Sequence, residues 1–447
     1  GSRADDWLDY DKTQYNFLYD ENGEADYWSM VFIPDIQNLV TGKYTRLWYD
    51  MAEWIADNIE TENVKHIVGA GDSTWSNTDR EYLYALNGFD TFTSSVSWSN
   101  MIGNHDYVWN NNYRDSAKYN ANFGLDYISS TGASSTYKGS YDDPNGVSGV
   151  ENSYYTFSVN GVKWMILQLE YYPRQSVLTW ANSILEDEKY ADYNVILTTH
   201  AYLDGNGNYV KDYMEYTKSD DSVGGSLGTS TETIWETVVK PHTNIQLVLC
   251  GHSTNGEGTI ATKSVTNDAG ESVEALMMNV QDLDMTDSNG ADTAYYSGQA
   301  LGVINILRFS ADGTQVAVQQ YAPGYEKSFD VASNAITMSL NVVECVHKNE
   351  AVYNVDTPTG KHTGYTGDTY CTECGTLVKA GTVIPATGIM EPEEETDDKG
   401  KADVVNGAGV QTGDMTNVVA WIMILTVSVI AVLSVLLCKK KRDSGDF

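Results

Sequence analysis

The chain has 447 residues, a formal net charge of −35, 31 Tyr and 11 Trp. That length allows one large core with appendages. The aromatic content excludes a chain disordered throughout, and the charge argues against nucleic acid or an anionic membrane surface as partner. A phosphate-bearing substrate would be repelled by this field, so bound cations would have to supply the attraction. The five cysteines are too few for a disulfide-stapled scaffold of this size. Gly1-Ser2-Arg3 read as the product of processing, with any signal peptide removed or absent.

After a lead-in over residues 1–26, Tyr27 to Ile33 reads as a buried strand that runs into Pro34-Asp35-Ile36-Gln37. Thr45 to Glu60 carries Leu47, Met51, Trp54, Ile55 and Ile59 at helical spacing. Val64 to Val68 is a second strand, closing in Gly69-Ala70-Gly71-Asp72. Strand, helix and strand make a βαβ unit with a right-handed crossover. Asp35 and Asp72 then stand at neighbouring carboxyl ends, where open α/β sheets place their sites. The stretch from Ser99 to Asp106 is a third strand end, closing in Gly103-Asn104-His105-Asp106. From Asn110 to Val150 the chain is rich in Asn, Ser, Gly and Tyr with little periodicity and reads as long surface loops, a candidate lid. Tyr154 to Val159 and Val162 to Leu169 form a hairpin turning at Asn160-Gly161. Ser176 to Tyr190 is helical. Asn194 to Thr199 is a strand ending in His200, and Ile245 to Cys250 is another ending in Gly251-His252. Further strands are expected at Ala275 to Val280, Gly302 to Phe309 and Gln315 to Tyr321, with the domain, residues 27–333, closing near Ser333.

Collected, the polar residues at strand ends are Asp35, Gln37, Asp72, Asn104, His105, Asp106, His200 and His252. Burying such groups unpaired would be costly. Carboxylates, an amide oxygen and imidazoles together suit a divalent transition metal, or a pair that clamps a phosphoryl group. Any one of these residues alone reads as a turn, a cap or a satisfied interior histidine; five strand ends doing the same thing do not. Within the tetrapeptide, Asn104 offers a metal ligand, His105 a proton donor, and Asp106 a group to orient that donor. His66, His242 and His362 carry no assigned role, and Cys250 reads as a small buried residue.

This series resembles the calcineurin-like metallophosphoesterase family, whose blocks run D-x-H, G-D, G-N-H-D, a lone H and G-H-x-H. Here they stand as Asp35-Ile36-Gln37, Gly71-Asp72, Gly103-Asn104-His105-Asp106, His200 and Gly251-His252-Ser253-Thr254. The resemblance implies an α/β fold, a two-sheet β-sandwich flanked by helices. It implies that Asp72 bridges two metals, that Asn104, His200 and His252 complete one site, and that Asp35 anchors the other. His105 would protonate the leaving group or steady the transition state, with Asp106 setting its tautomer. Two departures stand out, since Gln37 and Thr254 replace histidines of one metal position. One site is then complete and suits Mn, Fe or Zn; the other is oxygen-only and holds Mg, Mn or Ca weakly. Leu169-Glu170, Pro173-Arg174 and Trp180-Ala181 resemble the extracellular bacterial branch of the family.

Past the catalytic region, Cys345, His347, Cys371 and Cys374 make a four-ligand set for structural zinc within residues 340–388, a disulfide being the alternative. This stretch resembles a small repeat module of Gram-positive surface proteins. An acidic linker with a sorting-like motif, Val410 to Asp414, follows over residues 389–414. Residues 418–438 are apolar and uncharged, long enough to cross a bilayer as a helix, and Lys439 to Arg442 open a basic cytoplasmic tail over 439–447. That layout resembles a sortase signal with cleavage after Thr412, although the usual Leu-Pro is replaced by Gly409-Val410. The expected location is the extracellular face, attached to peptidoglycan by sortase or held by the membrane helix. The expected function is hydrolysis of a phosphate-ester substrate, monoester or diester. Its rival is a non-catalytic binding protein on a degenerate frame of the same family.

Overall fold

The structure is a computed structural model that describes residues 12–110, 113–142, 148–211, 218–219, 228–253, 260–280, 302–328 and 336–388. Among these, seven strands form a first sheet: β1 (Tyr27–Ile33), β2 (Val64–Gly69), β3 (Ser97–Asn100), β14 (Ile304–Ser310), β15 (Gln315–Ala322), β16 (Lys327–Ser328) and β17 (Ile336–Ser339). Their order is β16-β15-β14-β1-β2-β3, with β17 also on β15. The second sheet holds β6 (Tyr137–Asp142), β7 (Ser148–Val159), β8 (Val162–Leu169), β9 (Tyr193–Thr199), β11 (Ile245–Cys250), β12 (Ile260–Thr266) and β13 (Ser272–Met278), in the order β12-β13-β11-β9-β8-β7-β6. β4 (Val108–Asn110), β5 (Tyr113–Asp115) and β10 (Lys218–Ser219) make a small third sheet. The first sheet is parallel on one side, β1-β2-β3, and the second through its centre, β8-β9-β11-β13.

β8 shows why these strands read as continuous apolar runs. All its residues are buried. Trp164 and Ile166 face the first sheet, where Trp164 meets Phe309 and Trp28, while Met165, Leu167 and Leu169 join the opposite face. A strand covered on both sides favours apolar residues on both faces rather than in alternation, and in β8 only Lys163 and Gln168 are polar. Between the sheets Trp28 stacks on Phe309 with centroids 4.1 Å apart. His66 lies in the same layer, bonded to Ser97 Oγ at 2.8 Å and Ser99 Oγ at 3.1 Å. Burial drops its pKa to about 3, so it is a neutral core histidine.

Helices cover the outside. α1 (Thr45–Asn58) packs on α2 (Asp79–Phe92), with the Trp48 indole N–H donating to Tyr84 and Ala85 carbonyls. α2 starts at a reciprocal cap in which Thr78 Oγ1 accepts from Glu81 N and Glu81 Oε2 accepts from Thr78 N. α5 (Gln175–Leu185) places Val177, Leu178, Ala181 and Leu185 against β8 and β9, and α6 (Thr231–Ile234) with the π-turn after it closes that side.

Four expectations change. The stretch from Asn110 to Val150 is not loop throughout: it holds β5, α3 (Ala117–Phe123), α4 (Leu125–Ser129) and β6, with Tyr119, Phe123, Ile128 and Ala133 buried. The helix expected over Ser176 to Tyr190 stops at Leu185, and Glu188–Tyr190 is a separate 3₁₀ turn. The first sheet continues past Ser333 into β17. α2 and β12 also had no counterpart in the sequence reading. Among the described residues no helix is long and apolar enough to cross a membrane; the segment 418–438, the linker 389–414 and Thr254 lie outside them.

Candidate active site

Every block of polar residues sits just past the carboxyl end of a parallel strand: Asp35 after β1, Asp72 after β2, Asn104 after β3, His200 after β9 and His252 after β11. Register does this, because Phe32 pairs with Val68, and Gly69 with Asn100, so the strands end level. The loops then approach closely. A Cβ on Gly71 would stand 2.8 Å from Gly103 N, and one on Gly103 only 2.1 Å from Asp72 Oδ1, so neither position accepts a side chain without moving its neighbour. Asp72 and His252 both hold left-handed backbone, with φ 46° and 66°. For residues other than Gly that conformation is uncommon and clusters at functional sites.

His200 is fully buried and surrounded by oxygen. Its Nδ1 lies 2.7 Å from the Ala70 carbonyl, so that nitrogen carries the proton it donates. Its Nε2 faces Asn104 Oδ1 at 3.2 Å and Asp72 Oδ1 at 3.4 Å. Burial by itself would lower the His200 pKa, but the carboxylates of Asp72 and Asp35 outweigh it and raise it to about 10. The His252 ring packs edge-on to His200, centroids 5.0 Å apart. Ligand atoms of Asp72, His200 and His252 all lie within 4.8 Å of one another. A cluster of acceptors converging on one point asks for a cation, and this donor set fits a divalent metal.

Asp35 and Gln37 stand beside this cluster, both buried. Asp35 Oδ2 accepts from His252 N at 3.0 Å and from Asn279 Nδ2 at 2.8 Å, while Oδ1 is buried with no hydrogen-bond partner. Burial raises the Asp35 pKa well above the ordinary range, against the pull of His200. Gln37 Nε2 donates to Asp72 Oδ2 at 3.1 Å. Burial opposes ionisation of Asp72, yet His200 and the other histidines hold its pKa below the usual carboxylate value.

His105 and Asp106 part company with the sequence expectation. The Asp106 carboxylate is turned away from the imidazole and accepts from Ser73 N, Thr74 N, Thr74 Oγ1 and Gly103 N. It binds the Asp72 and Gly103 loops together, which a carboxylate does well because several N–H groups can share its oxygens. The His105 tautomer is set instead by the Trp75 carbonyl, 2.7 Å from Nδ1, and its ring stacks on Trp75 at 4.9 Å. His105 N donates to Asp72 Oδ1 at 2.9 Å, which fixes the residue's distance from the cluster.

Three residues here escaped sequence reading. Asn279, just past β13, holds Asp35; the only signal was an amide inside an apolar strand end. Trp75, exposed at the rim, supports His105. Tyr171 packs on His200 and His252 at 5.7 Å and 5.3 Å. The segment around it is pinned by Glu170, buried and paired with Arg174 at 2.8 Å and Arg114 at 3.5 Å.

The family model for calcineurin-like phosphoesterases matches residues 30–255. The uncharacterized protein YvnB of Bacillus subtilis is 25% identical over 307 residues, which is 67% of this chain but 20% of that protein. This chain therefore spans about a fifth of that curated relative's length. Among solved structures, the Plasmodium protein described as GAP50, the anchor in the inner membrane complex, has a TM-score of 0.39 and 11% identity, covering 71% of this chain and 90% of that one. The purple acid phosphatase PPD1 from yellow lupin seeds likewise has a TM-score of 0.39, with 10% identity and coverage of 71% and 54%. With its family model spanning residues 30–255 and residues of all five blocks standing past the carboxyl ends of strands from both large sheets, the chain belongs to the calcineurin-like phosphoesterases.

Proposed function

We propose that this chain is a metal-dependent phosphoesterase. One observation carries the reading: Asp72 Oδ1, Asn104 Oδ1, His200 Nε2 and the His252 ring converge, with His105 at the rim. Asp72, Asn104, His200 and His252 would hold a divalent ion, with Asp35 and Gln37 alongside. Such an ion, when bound, polarises a phosphoryl oxygen and makes water acidic enough to attack. The chain's own residues do the rest. The Ala70 carbonyl keeps His200 in the tautomer whose Nε2 faces the cluster. The Trp75 carbonyl accepts from His105 Nδ1–H, so that in the doubly protonated ring Nε2–H is the group left to meet the leaving oxygen and give it a proton.

The rival reading, a binding protein on this frame, is favoured by Gln37, whose amide occupies Asp72 Oδ2 where the family places a histidine-bound metal. An aryl phosphomonoester and an aryl phosphodiester incubated with the full chain and manganese, iron, zinc, magnesium or calcium separate the two. Turnover of either that is lost on chelation is expected; no turnover with any ion leaves the binding protein as the answer.

The catalytic region is further proposed to lie outside the plasma membrane, held by 418–438 or by the wall. The support is sequence alone: the apolar run followed by Lys439 to Arg442. Protease added to intact cells should then release the catalytic region, and complete protection would reverse the orientation.

A further inference from the structure

The residues that follow β17 form a small unit: β18 (Glu350–Tyr353), β20 (Asp368–Cys371) and β21 (Leu377–Lys379) in one sheet, β19 (Gly364–Tyr365) and β22 (Val383–Ile384) in another. So few residues bury little apolar surface, and Val352, Tyr353, Val355, Leu377 and Val383 stay exposed. Units of this size usually need a staple. At its heart Cys345, Cys371 and Cys374 are buried together as free thiols, with His347 beside them.

The spacing of these four side chains matches a tetrahedral metal. Bonds to sulfur of about 2.3 Å place two tetrahedral sulfurs about 3.8 Å apart. The Cys345 and Cys371 sulfurs are 3.8 Å apart, and Cys374 Sγ lies 3.3 Å from His347 Nδ1. His347 takes left-handed backbone, φ 51°, which folds the Cys345-Val346-His347 loop around the point.

The two ligand loops also share a docking point on the catalytic region. Glu373, between Cys371 and Cys374, accepts from Lys163 Nζ at 2.6 Å, and its carbonyl accepts from Ser158 Oγ at 2.9 Å. Val346, between Cys345 and His347, donates its N–H to Asp192 Oδ2 at 3.1 Å. Asp192 is itself paired with Lys163 at 2.6 Å, and the Lys163 side chain is only 1% exposed. A buried ammonium needs both carboxylates, since losing one partner of a buried pair is strongly destabilising.

We infer that Cys345, His347, Cys371 and Cys374 bind one structural zinc, and that this zinc fixes the two loops that grip the Lys163–Asp192 pair. Loading the metal and docking the unit on the second sheet are therefore one event. The grip lies at the start of β8, whereas the active site lies at its carboxyl end. Six residues of strand lie beyond Lys163, about 20 Å at roughly 3.3 Å each.

Cobalt serves as the probe on the metal-free, reduced full chain. One equivalent should bind with the charge-transfer absorption of thiolate ligation, which the active site, lacking thiolates, does not give. Cys374→Ser should abolish that band and His200→Ala should keep it. Docking is read by hydrogen exchange around Ser158–Lys163 and Asp192–Asn194, which should quicken on chelation of the wild-type chain and in Glu373→Gln, the latter with its thiolate band intact. Absence of the band, or a disulfide mapped among these cysteines in protein prepared without reductant, would overturn the zinc site. Exchange unchanged by chelation would overturn the clamp, and needs no variant to fold.

Discussion

Replacing His105 by Ala should lower kcat by about 10²- to 10⁴-fold, the usual scale for a positioned proton donor, while bound metal stays constant. The geometry separates the two effects. The His105 side chain reaches the Trp75 carbonyl, not the acceptor cluster, and only its backbone N–H touches Asp72. Truncation at Cβ therefore removes the donor and leaves the ligands in place. Asp106→Asn should behave differently. It keeps the side chain's size but gives up acceptor capacity that Ser73, Thr74 and Gly103 use, so its loss should appear in metal retention and thermal stability as well as in turnover. Metal analysis and kcat measured on the same preparations check both. His105→Ala losing metal together with activity would place the histidine among the ligands and refute the proton-donor role.

The contrast between these neighbours shows where sequence reading works. Strand ends were legible because β1, β2, β8, β9 and β11 each carry a short apolar stretch, such as Met30 to Ile33 or Val195 to Leu197, followed within a few residues by a carboxylate or a histidine. The partners of Asp106 were not, because three of its donors are backbone N–H groups. α2 has a buried face of Tyr82, Ala85, Phe89 and Phe92 at helical spacing, and the cap at Thr78 and Glu81 marks its start, but Gly88 inside it and the polar residues of its exposed face dilute that pattern. Between Asn110 and Val150, polar composition hid Tyr119, Phe123 and Tyr127, spaced four apart. Phe123 lies 5.1 Å from Phe89 and Tyr127 5.2 Å from Trp98, so the segment packs over the edge of the first sheet. β12 is an edge strand whose polar residues face water, so it has no apolar run to read.

His200→Ala should strip the firmly held metal from the catalytic region and abolish turnover. In wild-type protein, one equivalent should survive exhaustive dialysis there, and a second should bind only when divalent ion is added. The two positions differ in what the surrounding atoms are already doing. At the first, His200 Nε2 meets Asn104 Oδ1 and Asp72 Oδ1 at 3.2 and 3.4 Å, with Nδ1 committed to Ala70, so nitrogen and oxygen donors point inward together. At the second, Asp72 Oδ2 is engaged by the Gln37 amide and Asp35 Oδ2 by His252 N and Asn279. A neutral amide there adds no charge, and oxygen ligands without imidazole hold hard ions weakly. Gln37→His should strengthen this position and raise the dialysis-resistant count. Uptake at the first position should also depend on pH. The His200 pKa, raised to about 10, means that below that pH the metal-free site carries a proton that the ion must displace. Affinity should therefore fall as pH falls, by about tenfold per unit for one displaced proton. Metal counted by mass spectrometry after dialysis at several pH values, with Cys374→Ser as background to remove the module's contribution, measures all of this. Two firmly held equivalents in that background would show that Gln37 does not weaken the second position.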